Sequence, residues 1–484
     1  MRHVLALAAV IAVFVFLARA QVFSWPYYYD EADYMSAASL GWRANYTGMP
    51  SQSLPDFVKA VLENGSDPGN RGRLSRQLRR SQDVEFYRHW HGPLYFYWLA
   101  ALASQHLDER MTRTFSYVFP LLTCIAIYFG AIWLSPAAEA GVAALLGSVF
   151  YLWSYTTVLT DEIAPHQLFA FCAVVTLLLL MKWRATGRPV CWYAAVAGAA
   201  CAFCTLEVAL VLAAVMIGSA FAASPPSRPS PIRSIVLFGG ITLLLWPAAI
   251  VRLSFLKAYL FLAYLALFRA SAWGSSGFVE TWRARLVQSP WEWALLALAL
   301  IVYFWLCDGE IRKLILPLLL YAASMLIVLF RVNTETPRYM LPFLPALQVG
   351  AGLIFGSLLS KWRRAVRLGS CAAIVLLLFW NTYAQVRAHP ILPAPRLSAV
   401  IALLGNQHLG GKKLLAPQND VPMIHYYLPG ILVSGYTTEQ EKSALLAHDQ
   451  FDAVLNPGDP ANVQRQAPPV PHYLSSDERT ALWQ

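Results

Sequence analysis

Charge is scarce in this sequence: Asp, Glu, Lys and Arg make up 13% of its 484 residues, where a soluble domain carries about 25%. With 57% of the residues hydrophobic, that shortage excludes an ordinary soluble globule and leaves a membrane protein. Cysteine is missing from the hydrophilic stretches. Cys124, Cys172, Cys191, Cys201, Cys204, Cys307 and Cys371 all lie in or beside apolar runs. A disulfide-stapled exported scaffold is therefore excluded, and the C-x-x-C of Cys201 and Cys204, set among small apolar residues, reads as packing rather than redox chemistry. The net charge of +10 is not a nucleic-acid footprint. Its basic residues sit in short clusters between apolar runs, where they orient a membrane protein.

What the chain has in abundance is long apolar runs. Crossing about 30 Å of hydrocarbon takes about 20 apolar residues in a helix. Runs of this kind occur at 4–17, 114–134, 141–159, 168–183, 191–204, 208–221, 235–251, 293–307, 314–330, 340–359 and 371–384. They predict an all-α polytopic membrane protein with about 11 transmembrane helices. Lys/Arg-rich short loops stay in the cytoplasm, which places the loops at 182–188, 224–233, 308–313 and 361–367 inside, together with the N-terminus. The segments 21–113, 160–167, 252–292 and 333–339 then lie outside, as does everything from residue 385 onward. The amino end also reads as a cleavable signal peptide, with basic Met1–His3 before an apolar stretch and Ala18-Arg19-Ala20 after it. The orientation downstream is the same on either reading.

Two parts of the exterior have internal order. The run from Gly92 to Leu107 is too short to span and rich in Tyr and Trp, which suits a helix lying at the interface. In the last hundred residues, K-K-L-L-A-P, G-I-L-V-S-G and F-D-A-V-L-N-P read as short strands, with a helix between the last two. The expected organisation is a membrane domain over 1–384, with its long first loop at 21–113, and a small extracytoplasmic α/β domain over 385–484.

Residues suited to chemistry gather near the outer ends of the predicted helices. Asp30 and Glu31 stand just beyond the first helix in Y-Y-Y-D-E-A-D-Y. An ionised carboxylate there suits removal of a proton from an acceptor hydroxyl. Equally, acids in the first turn of a helix meet the positive end of its dipole. W-H-G-P-L-Y-F-Y-W contains His91 and Tyr95, which serve either as an interfacial anchor or as contacts to a lipid phosphate. Asp161 and Glu162, in T-D-E-I-A-P-H-Q, sit close to hydrocarbon, where acids are costly and more often functional. Arg338 and Tyr339 lie in N-T-E-T-P-R-Y-M-L-P, and the Arg fork fits phosphate oxygens. A basic run of Arg71, Arg73, Arg76, Arg79 and Arg80 suits lipid headgroups or a lipid-linked phosphate.

The D-E pair after the first helix, the H-x-P-L-Y element and the R-Y-x-L-P-x-x-P segment occur in this order over roughly residues 4–359. Together they resemble the GT-C glycosyltransferases, in the branch of the protein O-mannosyltransferases and the aminoarabinose–lipid A transferase. The resemblance implies inverting transfer from a polyprenyl-phosphate sugar to a hydroxyl of a lipid, glycan or protein. The reaction would take place at the outer face of a bacterial inner or plasma membrane, without a nucleotide sugar. It implies Asp30 as general base and His91, Tyr95, Arg338 and Tyr339 on the donor side. Asp161 or Glu162 would be the second-loop acid. No cofactor is assigned, and a divalent metal is left open. Two departures stand out. Gly92 replaces the first proline of the family's K/H-P-P-L-Y element, and T-L-E-V places Leu206 where relatives often carry a lysine, with Glu207 beside it. A transporter or flippase of lipid-linked sugars is the competing reading, kept open by Glu207 at a helix break; a non-catalytic scaffold is a third.

Overall fold

A backbone in hydrocarbon must satisfy its own N–H and C=O groups, so apolar runs become helices. The computed structural model describes residues 2–19, 22, 24–39, 41, 91–105, 107–159, 163–221, 229–247, 259, 278–329, 337–388, 395–406, 409–436 and 438–457. Asp161, Glu162 and the arginine run at 71–80 lie outside these described residues. The first helix is α1 (Arg2–Ala18), followed by the short α2 (Asp30–Ala38) and then α3 (Leu94–Ala103). Next come α4 (Glu109–Ser116) and α5 (Val118–Leu134), which together form one span, Glu109–Leu134. After α6 (Ala137–Leu152) and the single turn α7 (Tyr155–Val158) come α8 (Pro165–Thr186), α9 (Pro189–Phe203), α10 (Ala209–Phe221) and α11 (Pro231–Leu245). The chain continues through α12 (Phe278–Gln288), α13 (Pro290–Trp305), α14 (Gly309–Leu329), a 3-10 turn (Pro337–Met340), α15 (Leu344–Ser360) and α16 (Arg364–Ala388). Proline in the first turn of α8, α9, α11 and α13 presets the helical φ where no N–H partner is available.

Each of the eleven apolar runs contains a helix, but their lengths differ. Four described helices are long and apolar enough to cross a membrane, or five if α12 and α13, bent by 96° at Ser289, count as one span. The other apolar helices have 10–17 residues; at 1.5 Å per residue the longest of these reaches about 25 Å, short of the hydrocarbon thickness. Apolar side chains such as Ile235, Leu244, Phe304, Trp305, Leu376 and Trp380 are exposed around the bundle. In water such a surface would drive association; against lipid tails it is solvated.

Polar contacts sort the loops to the two ends of the bundle. At one end Lys361 Nζ lies 3.6 Å from Asp308 Oδ2, and Lys182 Nζ donates to the Trp133 carbonyl at 2.6 Å. At the other end lie α2, the start of α3 and the Pro337–Met340 turn.

The C-terminal segment adds α17 (Pro395–Asn406), β1 (Lys413–Pro417), α18 (Val421–Tyr427), β2 (Leu432–Tyr436), α19 (Glu439–His448) and β3 (Ala453–Val454). The strands form a parallel sheet in the order β2-β1-β3. This segment docks on the α2 end. The Tyr427 hydroxyl accepts from the Tyr27 N–H at 2.8 Å and donates to Glu109 Oε1 at 2.7 Å.

The tightest helix pair is α6 with α15, where small residues let the backbones meet. A Cβ added at Gly352 would stand 2.5 Å from the Gly147 backbone, and one at Gly356 would meet Ala143 Cβ at 2.6 Å. Without a hydrophobic force between helices in lipid, such close packing is a main source of association. Gly352→Ala should therefore destabilise the fold by about 1–3 kcal/mol. Gly369→Ala, where a Cβ meets open space, should be neutral. Thermal unfolding of the two detergent-solubilised variants checks this; equal midpoints would refute it.

Candidate active site

Two neighbouring acids at the start of α2 go in different directions. Asp30 ion-pairs with Arg338, which stands on the Pro337–Met340 turn. The Asp30 side chain keeps 28% of its surface exposed, against 8% for Arg338, so the pair opens to solvent on the carboxylate side. Glu31 is enclosed. Arg113 donates to it from Nε at 3.0 Å and from Nη2 at 2.6 Å, and the Ile163 N–H adds a bond to Oε1 at 3.1 Å. Arg113 also donates from Nη1 to the Trp25 carbonyl at 2.9 Å. Glu31 thus ties α2 to α4 and to the residue that follows Asp161 and Glu162. The same acids also occupy the first turn of α2, so the dipole reading of the sequence holds as well.

Between these anchors the chain bends sharply. Tyr29, which precedes α2, has φ 50° and ψ −120°, a conformation that costs a non-glycine residue about 1–3 kcal/mol. It persists because both sides are tied down: Tyr27 to Tyr427, Tyr28 to Asp420, Asp30 to Arg338 and Glu31 to Arg113. Burial, followed by the neighbouring Asp30 carboxylate, pushes the Tyr29 phenol up to about 12, so it remains a neutral donor at physiological pH.

The second cluster is built on the H-G-P-L segment. A Cβ at Gly92 would fall 2.2 Å from the Cys204 carbonyl oxygen, and that oxygen accepts from the Leu94 N–H at 3.0 Å. Only glycine allows this docking onto the end of α9. The docking brings His91 Nδ1 to 3.0 Å from Glu207 Oε2 and His91 Nε2 to 3.4 Å from the Tyr34 hydroxyl.

His166, at the start of α8, joins the two clusters. Its ring meets Tyr339 edge-on at 5.3 Å and His91 at 6.2 Å, and the Arg338 guanidinium lies 5.2 Å from the Tyr339 ring. Asp30 and Tyr34 are four residues apart on α2 and so share a face. The contacts close into a ring: Asp30, Arg338, Tyr339, His166, His91, Tyr34. Tyr95 stands behind this ring, fully buried against Phe119.

Of the sequence-predicted site residues, the structure brings Asp30, His91, Arg338 and Tyr339 together, with Glu31 and Tyr95 directly behind them. Sequence reasoning did not single out His166, Tyr34 or Arg113 for the site. His166 follows Asp161 and Glu162 in one motif, and Tyr34 is one helical turn from Asp30, so both carried a local signal. Arg113, 82 residues from Glu31, carried none. Among the described residues, no group of three or more His, Cys, Asp or Glu could hold a metal ion.

The Arg338 turn has its own support. It packs on α7, whose cap Ser154 donates to Glu292 Oε2 at 3.1 Å. The Glu292 carboxylate, buried at the α12–α13 bend, also accepts from Ser289 at 2.8 Å and from Gln348 at 2.7 Å.

No protein-family model matches the sequence, and no curated protein matches it. Solved structures do. ArnT from Cupriavidus metallidurans in the apo state superposes with a TM-score of 0.59 at 13% identity, covering 92% of this chain and 88% of that one. The same ArnT bound to undecaprenyl phosphate gives 0.51 at 11% identity, covering 92% and 87%. The oligosaccharyltransferase AglB from Archaeoglobus fulgidus, in complex with an inhibitory peptide and a dolichol-phosphate, gives 0.53 at 12% identity, covering 90% of this chain and 64% of AglB.

Breaking the enclosed pair is the sharpest test of this geometry. Arg113→Ala leaves the Glu31 carboxylate buried without its cation and should cost about 3–5 kcal/mol. Arg113→Met combined with Glu31→Leu should recover most of that loss. Chemical or thermal unfolding in detergent measures both; a double variant no better than Arg113→Ala would contradict the assignment. The chain shares its fold with the ArnT and AglB structures.

Proposed function

We propose that this protein is an integral-membrane glycosyltransferase that moves a sugar from a polyprenyl-phosphate donor to an acceptor hydroxyl. The observation that carries the reading is the Asp30–Arg338 pair, which joins residues 308 positions apart at one end of an apolar bundle. A base and a phosphate-binding fork stand side by side there. In this reading Arg338 turns towards the donor phosphate, with His91 and Tyr339 beside it. The carboxylate it leaves is then free to accept the proton of the acceptor hydroxyl. The hydroxyl oxygen attacks the anomeric carbon from the face opposite the phosphate, the bond from that carbon to the phosphate oxygen breaks, and polyprenyl phosphate departs. The product is inverted, and the leaving group needs no proton because the phosphate carries its charge stably.

Glu31 and Tyr95 act in this scheme by holding α2 and α3 in place. Asp161 or Glu162, adjoining Ile163, supplies the second-loop acid. The site faces the extracytoplasmic side. Residues 1–384 carry the transfer, and 385–484 form a cover that recognises a lipid, glycan or protein acceptor. The fold supports this reading, and so do the lipid phosphates bound in the ArnT and AglB structures. The transporter reading loses its motive, since Glu207 is paired with His91 within the same cluster.

General-base catalysis contributes about 10²–10⁴-fold to such a step, so Asp30→Asn should cut turnover by at least about 10²-fold while undecaprenyl phosphate still binds. The assay is release of polyprenyl phosphate from a polyprenyl-phosphate sugar. Turnover unchanged by Asp30→Asn would remove Asp30 from the mechanism.

A further inference from the structure

Neither the resemblance nor the Asp30 chemistry gives Glu207 a task. It is an acid beside the place where a phosphate is to be held, which by charge alone weakens phosphate binding. The geometry supplies a reason for it. A carboxylate only accepts, so the 3.0 Å contact with His91 Nδ1 places a proton on that nitrogen. The ring is then fixed with Nε2 towards Tyr34 and the interior of the ring of contacts. A neutral imidazole in this tautomer offers only a lone pair at Nε2, which repels a phosphate oxygen. The doubly protonated ring offers an N–H there. Glu207 is placed to aim that ring.

We propose that Glu207 is a positioning residue that aims the His91 ring at the donor phosphate, in a site where Leu206 stands at the position of a lysine in the resembled pattern. The inference rests on the donor reading above. Its consequence is that what Glu207 adds to donor binding depends on the side chain at position 91. Titratable groups around the His91–Glu207 pair include Tyr34 from α2, His166 from α8 and Tyr259, which lies against Glu207 and the Gly92 backbone. Arg338 stands beyond His166 and Tyr339.

The test uses the purified full-length protein in detergent, with undecaprenyl phosphate alone as probe and tryptophan fluorescence as readout. Glu207→Gln should weaken binding about tenfold in the wild-type background and less than about twofold in the His91→Lys background. A merely structural Glu207 would cost the same in both backgrounds, and that result overturns the proposal. Undecaprenyl phosphate affinity unchanged by His91→Ala also overturns it, and needs no Glu207 variant to fold. Failure of the wild type to bind undecaprenyl phosphate at any pH would instead refute the donor reading itself.

Discussion

The Glu31–Arg113 pair is the fixed point of the site. Both groups are almost fully buried, and a charge removed from water without a partner costs several kcal/mol. The arrangement therefore has few alternatives: the Arg fork must meet both carboxylate oxygens, and the Ile163 N–H takes a further position on Oε1. Three segments meet at one side chain as a result. Once Glu31 faces Arg113, the next residue back along α2 must face elsewhere, because side chains one apart on a helix diverge by about 100°. Asp30 is turned towards Arg338 by the bond its neighbour makes.

That division of labour explains why two adjacent acids serve one site. The enclosed acid supplies position, and the partly exposed one keeps access to water and to an incoming ligand. The cost of the bend at Tyr29 is borne by ties on both sides, including two to the C-terminal segment. The small sheet thus does more than lie on the bundle, since it holds the backbone from which Asp30 projects. Asp30 is paired with Arg338 and Glu207 with His91, so on the proposed reading a phosphate competes with a carboxylate for each basic side chain. Competition of this kind lowers affinity and raises selectivity, because a neutral ligand gains nothing by breaking either pair.

Much of the scaffold was legible in the sequence, because a membrane allows few choices. Apolar runs become helices, and each of the eleven did. The short C-terminal runs became strands at 413–417, 432–436 and 453–454, though the parallel order β2-β1-β3 was not readable. Apolarity did not show where a helix stops. Helices end at Leu152 and Leu245, inside the runs 141–159 and 235–251, and only four or five described spans pass by length. Asp30, His91 and Arg338 were visible because each lies in a compact motif beside an apolar run. Their partners were less so. Arg113 for Glu31 and Glu207 for His91 are fixed by how helices pack, and sequence spacing carries no trace of that. Glu292, three residues into α13, did carry a signal: an acid at the edge of an apolar helix.

The two departures from the family pattern, distant in the sequence, prove to be one feature in space. Gly92 stands where the resemblance expects a proline, and Glu207 adds an acid beside the position where it expects a lysine. Gly92 lies against the Cys204 carbonyl, three residues before Glu207. A proline ring there has more atoms than the single Cβ that already meets backbone at 2.2 Å, so it would push the H-G-P-L segment away from α9. His91 would then be carried out of reach of Glu207, leaving that acid without its partner. Conversely, a lysine at 206 with a proline at 92 would need no contact between the two segments. The glycine and the glutamate make sense only together, as the means by which a histidine is brought to the end of α9.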